Sequence, residues 1–438
     1  HRLDVGIRED LYEEIERALQ GGEGPLRQTE PARLPGGVFL GQDVAGVVEA
    51  VERPGQLERV LGSVVRCPQL HGPIDHLREL EEMEDEIRQV LASGGSVDGL
   101  RISDRAHLII NYHKKLDGAE EIYRGNKSVG TTKKGIGPAY QDKIARSGFR
   151  VSDLFDGENL KEKIAANLPL KKDLMEMLGA EECQCTVESL YEKMTGWRRM
   201  IEGHVCDCSV LLNEALDEGR RVLFEGAQGA MLDIDHGTYP YVTSSATCGG
   251  GICTGTGVAP GRIEKVVGCL KAYTTRVGEG PFVTELFGEE AAEMQKKGGE
   301  FGVTTGRGRR CGWLDLVVAE HAKRMCGFTS LAITKLDVLN GYPEVRVCTA
   351  YRIDGEVVNH FPADLGRLCR AEPVYETLPG WGGWEDTEEI ASQEYDALPE
   401  NMRSYIRFIE DRLGVPADIV SIGPKRSETI DRKKDWWN

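Results

Sequence analysis

The chain reads as an α/β protein built on one large, mainly parallel central sheet with helical insertions, and three observations carry that reading. Short apolar runs end abruptly in polar or glycine-rich loops, and amphipathic patterns at helical spacing lie between runs of that kind. In addition, 53 glycines in 438 residues gather into short clusters rather than repeats. Clustered glycine marks tight loops at which backbone can approach a ligand.

The strand signals come in three places. Arg221-Val222-Leu223-Phe224 runs into Glu225-Gly226-Ala227-Gln228-Gly229, Leu331-Ala332-Ile333 into Thr334-Lys335-Leu336-Asp337, and Ile419-Val420 into Ser421-Ile422-Gly423-Pro424. Each reads as a buried strand with polar groups at its carboxyl end, which is where open parallel sheets bind ligands. Helical spacing is clearest at 5–20 (Val5, Leu11, Ile15, Ala18, Leu19) and at 77–91 (Leu77, Leu80, Met83, Ile87, Val90, Leu91). Residues 20–60 show no clear period. The region 151–215 is the expected helical insertion. No internal repeat or low-complexity linker divides the chain.

A formal net charge of -18 excludes a general nucleic-acid binder, because phosphate-backbone affinity needs a basic face. No run of eighteen apolar residues predicts a membrane span, and the first twenty residues are too charged for a signal peptide. A cytoplasmic protein is expected. The chain opens on His1 rather than Met, and the native start is expected to be absent, processed or rebuilt. Twelve cysteines scattered from 67 to 369 fit reduced thiols better than a disulfide framework. Cys183-Gln184-Cys185 and Cys206-Asp207-Cys208 are spaced too closely for a usual structural zinc site.

Against that acidic background, Gly302-Val303-Thr304-Thr305-Gly306-Arg307-Gly308-Arg309-Arg310 places three arginines within four residues. Guanidinium forks, hydroxyls and glycine backbone form the composition of an anion site. Thr334-Lys335-Leu336-Asp337 has what guanine recognition needs: a carboxylate to accept from the ring N–H and the exocyclic amine, and a lysine stem to cover the base. Ser421-Ile422-Gly423-Pro424 offers backbone donors for a base carbonyl at another strand end. No Gly-x-x-x-x-Gly-Lys-Ser/Thr occurs, so this is not a Walker-type NTPase. Gly130-Thr131-Thr132-Lys133-Lys134-Gly135-Ile136-Gly137-Pro138 suits a monophosphate or a nucleotide sugar instead. Asp233 through Ser245 reads as a hydrogen-bonded turn rather than a catalytic or metal site, and His236 is given no catalytic role.

Together with Lys271-Ala272-Tyr273-Thr274-Thr275-Arg276-Val277-Gly278 and Tyr375-Glu376-Thr377-Leu378-Pro379-Gly380-Trp381, these segments closely resemble the adenylosuccinate synthetase family over about residues 100–438, with a weaker match back to Leu61. The resemblance implies a P-loop-NTPase-like fold without a Walker A loop, residues 61–438 as the family domain, and 1–60 as an unassigned segment. It also implies GTP-dependent ligation of IMP and L-aspartate to adenylosuccinate through 6-phosphoryl-IMP, with Mg2+. By resemblance, Thr132, Gln228, Thr243 and Arg307 hold IMP, and Arg146 reaches the partner's nucleotide in a homodimer. Val303, Thr304, Thr305 and Arg309 receive aspartate, and Arg309 also lies near GTP. Lys335, Leu336, Asp337, Ser421, Ile422 and Gly423 form the guanine site. The family's Gly-Asp-Glu-Gly-Lys-Gly loop, with its base, and its Gly-His-Asn-Ala-Gly-His segment, with its acid, are not found, so no catalytic residue is matched. The alternative is a catalytically deficient homologue that binds nucleotide or a partner. A signalling GTPase rests on the Lys-x-Asp pattern alone.

Overall fold

The computed structural model describes residues 37–41, 48–51, 77–78, 80–92, 94–125, 129–180, 184–301, 308–382 and 387–433. The amphipathic pattern at 5–20 lies outside them, as do Val303, Thr304, Thr305 and Arg307. Seven strands form the central sheet in the order Thr429–Asp431, Ala417–Ser421, Ser330–Thr334, Lys265–Lys271, Gly37–Gly41, Arg221–Glu225, Val48–Val51. The inner five pair in parallel and the two edge strands antiparallel, giving the expected α/β class. Two of the strands come from the stretch that shows no readable period.

Parallel strands are covered on both faces, which is why they read as continuous apolar runs. Every residue of Ser330–Thr334 and Ala417–Ser421 is buried. One core joins Leu331, Ile333 and Val420 to the helices Leu316–Cys326 and Glu400–Leu413. The second of these helices places Met402, Tyr405, Ile406, Ile409 and Leu413 on its buried face, starts after Pro399 and ends at Gly414 in the left-handed conformation. A further core packs Val222, Phe224 and Val266 against Leu212 and Ile252.

Helices Leu80–Ala92, Asn111–Arg124, Ile136–Ala145, Gly157–Met177 and Val187–Ile201 accompany this sheet. Met83, Ile87, Leu116, Phe149, Leu160, Ile164, Met194 and Trp197 give this helical layer a core of its own. A smaller sheet joins Leu314–Asp315, Glu344–Ile353, Glu356–Val358 and Glu372–Pro379.

The parallel arrangement brings the carboxyl ends at Glu225, Lys271, Thr334 and Ser421 to one edge of the sheet. Three of those ends are the polar strand ends read from the sequence.

Candidate functional site

Adjacent strands deliver the two guanine-type segments. Ile333 pairs with Val420, so Lys335–Asp337 and Ser421–Gly423 leave the sheet side by side. Lys335 stands at φ 62°, a conformation that a side chain with Cβ rarely adopts, and opens the short 3-10 turn Leu336–Leu339 that carries Asp337. Leu336 is buried, and its carbonyl accepts from Trp381 Nε1 at 3.3 Å. Beyond Ser421, the Ile422 amide donates to the Glu428 carbonyl at 2.9 Å. Lys425 N–H and the Thr387 hydroxyl both donate to the Glu428 carboxylate. A Cβ at Gly423 would lie 2.3 Å from that carboxylate, so a larger residue would displace the Glu428 side chain.

Strand Lys265–Lys271 lies on the other side of Ser330–Thr334, with Lys271 opposite Thr334. There the buried carboxylate of Glu300 meets three cations: Arg309 at 2.9 Å, Lys271 at 3.2 Å and Lys335 at 3.5 Å. Tyr273 donates its hydroxyl to the same group at 2.5 Å. Burial pushes the Glu300 carboxyl up, but Lys271, Lys335, the Tyr273 hydroxyl and Arg309 outweigh it and hold the group at about 2. Arg309 N–H also donates to the Glu300 carbonyl, and Phe301 bridges Gly308, which closes the base of the loop whose inner residues are not described.

Beyond that base, Arg310–Gly312 pairs antiparallel with Thr274–Arg276. Arg310 grips the Glu285 carboxylate and donates to the carbonyl of Gly280 at 2.8 Å.

On the far side, strand Arg221–Glu225 leads to Gln228 at φ 61°, whose side-chain oxygen is buried without a partner among the described residues. The adjoining turn is built on Asp233, whose carboxylate accepts from the amides of His236 at 2.9 Å, Asp235 at 3.0 Å and Thr247 at 2.8 Å. Burial raises the Asp233 carboxyl, and these amides together with Cys248 bring it below its ordinary value. Thr243 N–H donates to the Leu232 carbonyl, which fixes Thr243 in the same turn. His236 acts through its backbone, its carbonyl meeting His321 Nε2 at 2.9 Å.

Several backbone amides of the Gly130–Pro138 loop are held by carboxylates of the preceding helix. Its amides at Val129, Gly130 and Thr131 donate to Glu121, and that of Gly135 to Asp117. Thr132 and Lys133 are exposed on this loop. Helix Ile136–Ala145 then runs to Arg146 at φ 65°. Asp142 on that helix accepts from Tyr112 at 3.0 Å and His113 Nε2 at 3.0 Å, and pairs with Lys171. Because His113 Nδ1 accepts from Ile110 N–H at 2.9 Å, Nε2 carries the proton.

Non-glycine residues at positive φ among the described residues are Lys133, Arg146, Gln228, Lys335, Asp354 and Glu394. The first four fall in segments that the sequence singled out, as expected where backbone strain is retained for function. Sequence reasoning assigned no role to Glu300, Glu428, Glu121 or Asp142. Lys271 and Tyr273 lie inside the segment Lys271–Gly278, and Glu300 lies two residues before Gly302, which opens the arginine loop; that proximity is the signal the sequence offers. Cys206 and Cys208 bring their sulfurs to 3.7 Å, and no disulfide joins the cysteines among the described residues.

The family model for adenylosuccinate synthetase matches residues 75–430. The adenylosuccinate synthetase of Bacillus cytotoxicus is 50% identical over 345 residues, covering 78% of this chain and 79% of the relative. That of Moorella thermoacetica is 50% identical over 347 residues, covering 79% and 80%. Among solved structures, the fully ligated adenylosuccinate synthetase of Plasmodium falciparum aligns with a TM-score of 0.79 at 30% identity, over 99% of this chain and 98% of that one. With the matched model, the half-identical relatives and the shared fold in agreement, the chain belongs to the adenylosuccinate synthetase family.

Proposed function

We propose that this chain ligates IMP to L-aspartate at the expense of GTP, giving adenylosuccinate, GDP and phosphate, as a C–N bond-forming ligase of purine and AMP biosynthesis. The observation that carries it is the convergence of Lys335–Asp337, Ser421–Gly423 and the Glu300–Arg309–Lys271 cluster on one edge of the sheet. Asp337 accepts from the guanine ring N–H and amine, and the Lys335 stem covers the base. Thr132, Gln228, Thr243 and Arg307 hold IMP. Val303, Thr304, Thr305 and Arg309 receive aspartate.

The reaction has two steps. A base, in the family the aspartate of the Gly-Asp-Glu-Gly-Lys-Gly loop, accepts the purine ring proton, and the C6 oxygen attacks the γ-phosphorus as the bond to the bridging oxygen breaks, forming 6-phosphoryl-IMP and releasing GDP. The aspartate amine then attacks C6, and phosphate departs with that oxygen. Positive donors stabilise the charge on the transferring group, the largest contribution such a site makes. Family membership implies Mg2+. Among the described residues no three His, Cys, Asp or Glu side chains converge to hold a metal ion, so no step here is assigned to one.

A homodimer and a cytoplasmic location belong to the same reading. Arg146 is exposed at a helix end, and Ile144, Ile122 and Tyr123 expose 76%, 77% and 74% of their surface on the two helices joined by the Gln141–Glu120 hydrogen bond. Such apolar exposure fits a face covered by a second copy. Among the described residues no helix is long and apolar enough to cross a membrane.

A coupled assay for succinyl-purine formation tests the function. Product that requires IMP, aspartate and GTP together supports it, and the absence of product from a polypeptide that binds none of the three rejects it. The proton-accepting loop of the family is not found, so turnover is expected to be about 10²- to 10⁴-fold slower than for a relative that carries it. A rate equal to the relative's would show that another carboxylate takes the proton.

A further inference from the structure

We propose that Glu300 is a positioning residue of the nucleotide site: its buried carboxylate fixes where Lys335 and Arg309 stand, so the lysine on the base and the arginine near the phosphates share one anchor. This rests on the GTP reading above. Glu300 sits at the junction of three segments that are separate in sequence. Lys271 ends a parallel strand, Lys335 follows the neighbouring strand, and Arg309 closes the base of the arginine loop. The carboxylate contacts all three cations.

Local geometry leaves the anchor little freedom. Tyr273 donates to Glu300 at 2.5 Å, and its hydroxyl lies where a Cβ at Gly298 would come within 2.3 Å, so glycine at 298 is required for the approach. The Gly298 carbonyl in turn accepts from Lys335 Nζ at 2.7 Å. Lys271 Nζ donates to Thr275 Oγ1 at 3.0 Å, tying the cluster to the ribbon that carries Arg310. Gln295 Nε2 meets the Arg309 carbonyl at 2.8 Å from the helix Gly288–Gly298 just before Glu300.

Charge balance separates positioning from mere stabilisation. A buried ion pair is weak evidence for stability, since an apolar pair of similar volume often does as well. Here one carboxylate is shared by three cations that come from separate segments, so its charge sets their spacing at the edge of the sheet. Without the Glu300 charge, Lys335 and Arg309 lose their common partner and repel one another, so their placement for the nucleotide is lost before the fold is.

The test is calorimetric titration of the full chain and of Glu300→Gln with GTP, ATP and IMP, each alone. GTP affinity is expected to fall about tenfold or more in the variant, while IMP affinity stays within about twofold. Glu300→Asp keeps the charge but retracts it by one methylene, and its GTP affinity is expected to fall between the two. It carries the same comparison if the glutamine variant does not fold. Unchanged GTP affinity, or GTP and IMP affinities that fall together, would overturn the proposal. A parent chain that shows no preference for GTP over ATP would reject the guanine site itself, whereas a GTP-selective parent with an unaltered Glu300→Gln variant would reject only the role of Glu300.

Discussion

Arg276 and Arg310 face each other in register across the two-stranded ribbon beside the arginine loop. Like charges directly opposite on paired strands destabilise the pairing, so each must be answered separately. Arg310 is answered by Glu285, whose hydrogen bond raises its guanidinium above the ordinary value. Arg276 donates to the Thr238 hydroxyl and to the carbonyls of Tyr241 and Glu279 instead, and burial together with Arg310 pushes it down to about 10. Glu285→Gln therefore removes the carboxylate that Arg310 grips and leaves the two arginines opposite each other without it. Denaturant titration is expected to show a loss of about 1–3 kcal/mol. Unchanged stability would mean that the ribbon does not depend on this pair.

For the guanine reading, Asp337→Asn swaps an acceptor for an amide that presents a donor to the guanine N–H groups. GTP affinity by calorimetry should drop by about 1.5–3 kcal/mol, with ATP binding much less affected. Equal affinity for GTP in parent and variant rejects the assignment.

Acid stability has a signed expectation. Glu300 titrates at about 2 in the folded chain against an ordinary 4.5, so its stabilisation is complete above pH 4.5 and is lost as the pH falls toward 2. That amounts to about 3 kcal/mol, on the linkage scale of about 1.4 kcal/mol for each pH unit. Asp142 and Asp233 are also depressed, so the informative quantity is the difference between the parent and Glu300→Gln across that window. Parallel stability curves for the two proteins would contradict the assignment.

Gly135 combines φ +80° with a site where a Cβ would lie 2.8 Å from the Lys114 amide. Gly135→Ala is expected to cost about 1–3 kcal/mol and to disturb the loop that presents Thr132. Thermal unfolding measured beside IMP affinity checks this, and a variant matching the parent in both measurements would rule it out.

Much of the site edge was legible in the sequence because a buried parallel strand announces itself as an apolar run and its end as a polar break. Lys335, Ser421 and Gln228 were found in that way. The strands Gly37–Gly41 and Val48–Val51 are not legible in that way, since runs of five and four residues are too short to show a period. The Glu300 cluster is only faintly legible, through the place of Glu300 beside the arginine loop, because its partners come from segments that only the sheet order brings together. Periodicity also could not show that the amides of the Gly130 loop are taken by Glu121 and Asp117.

The most direct test follows a heavy-oxygen label placed at C6 of IMP through a turnover with GTP and aspartate. If the purine oxygen takes the γ-phosphoryl group before the amine attacks, the label must appear in the released phosphate. Label retained elsewhere, with unlabelled phosphate accompanying adenylosuccinate, would contradict the mechanism assigned to this site.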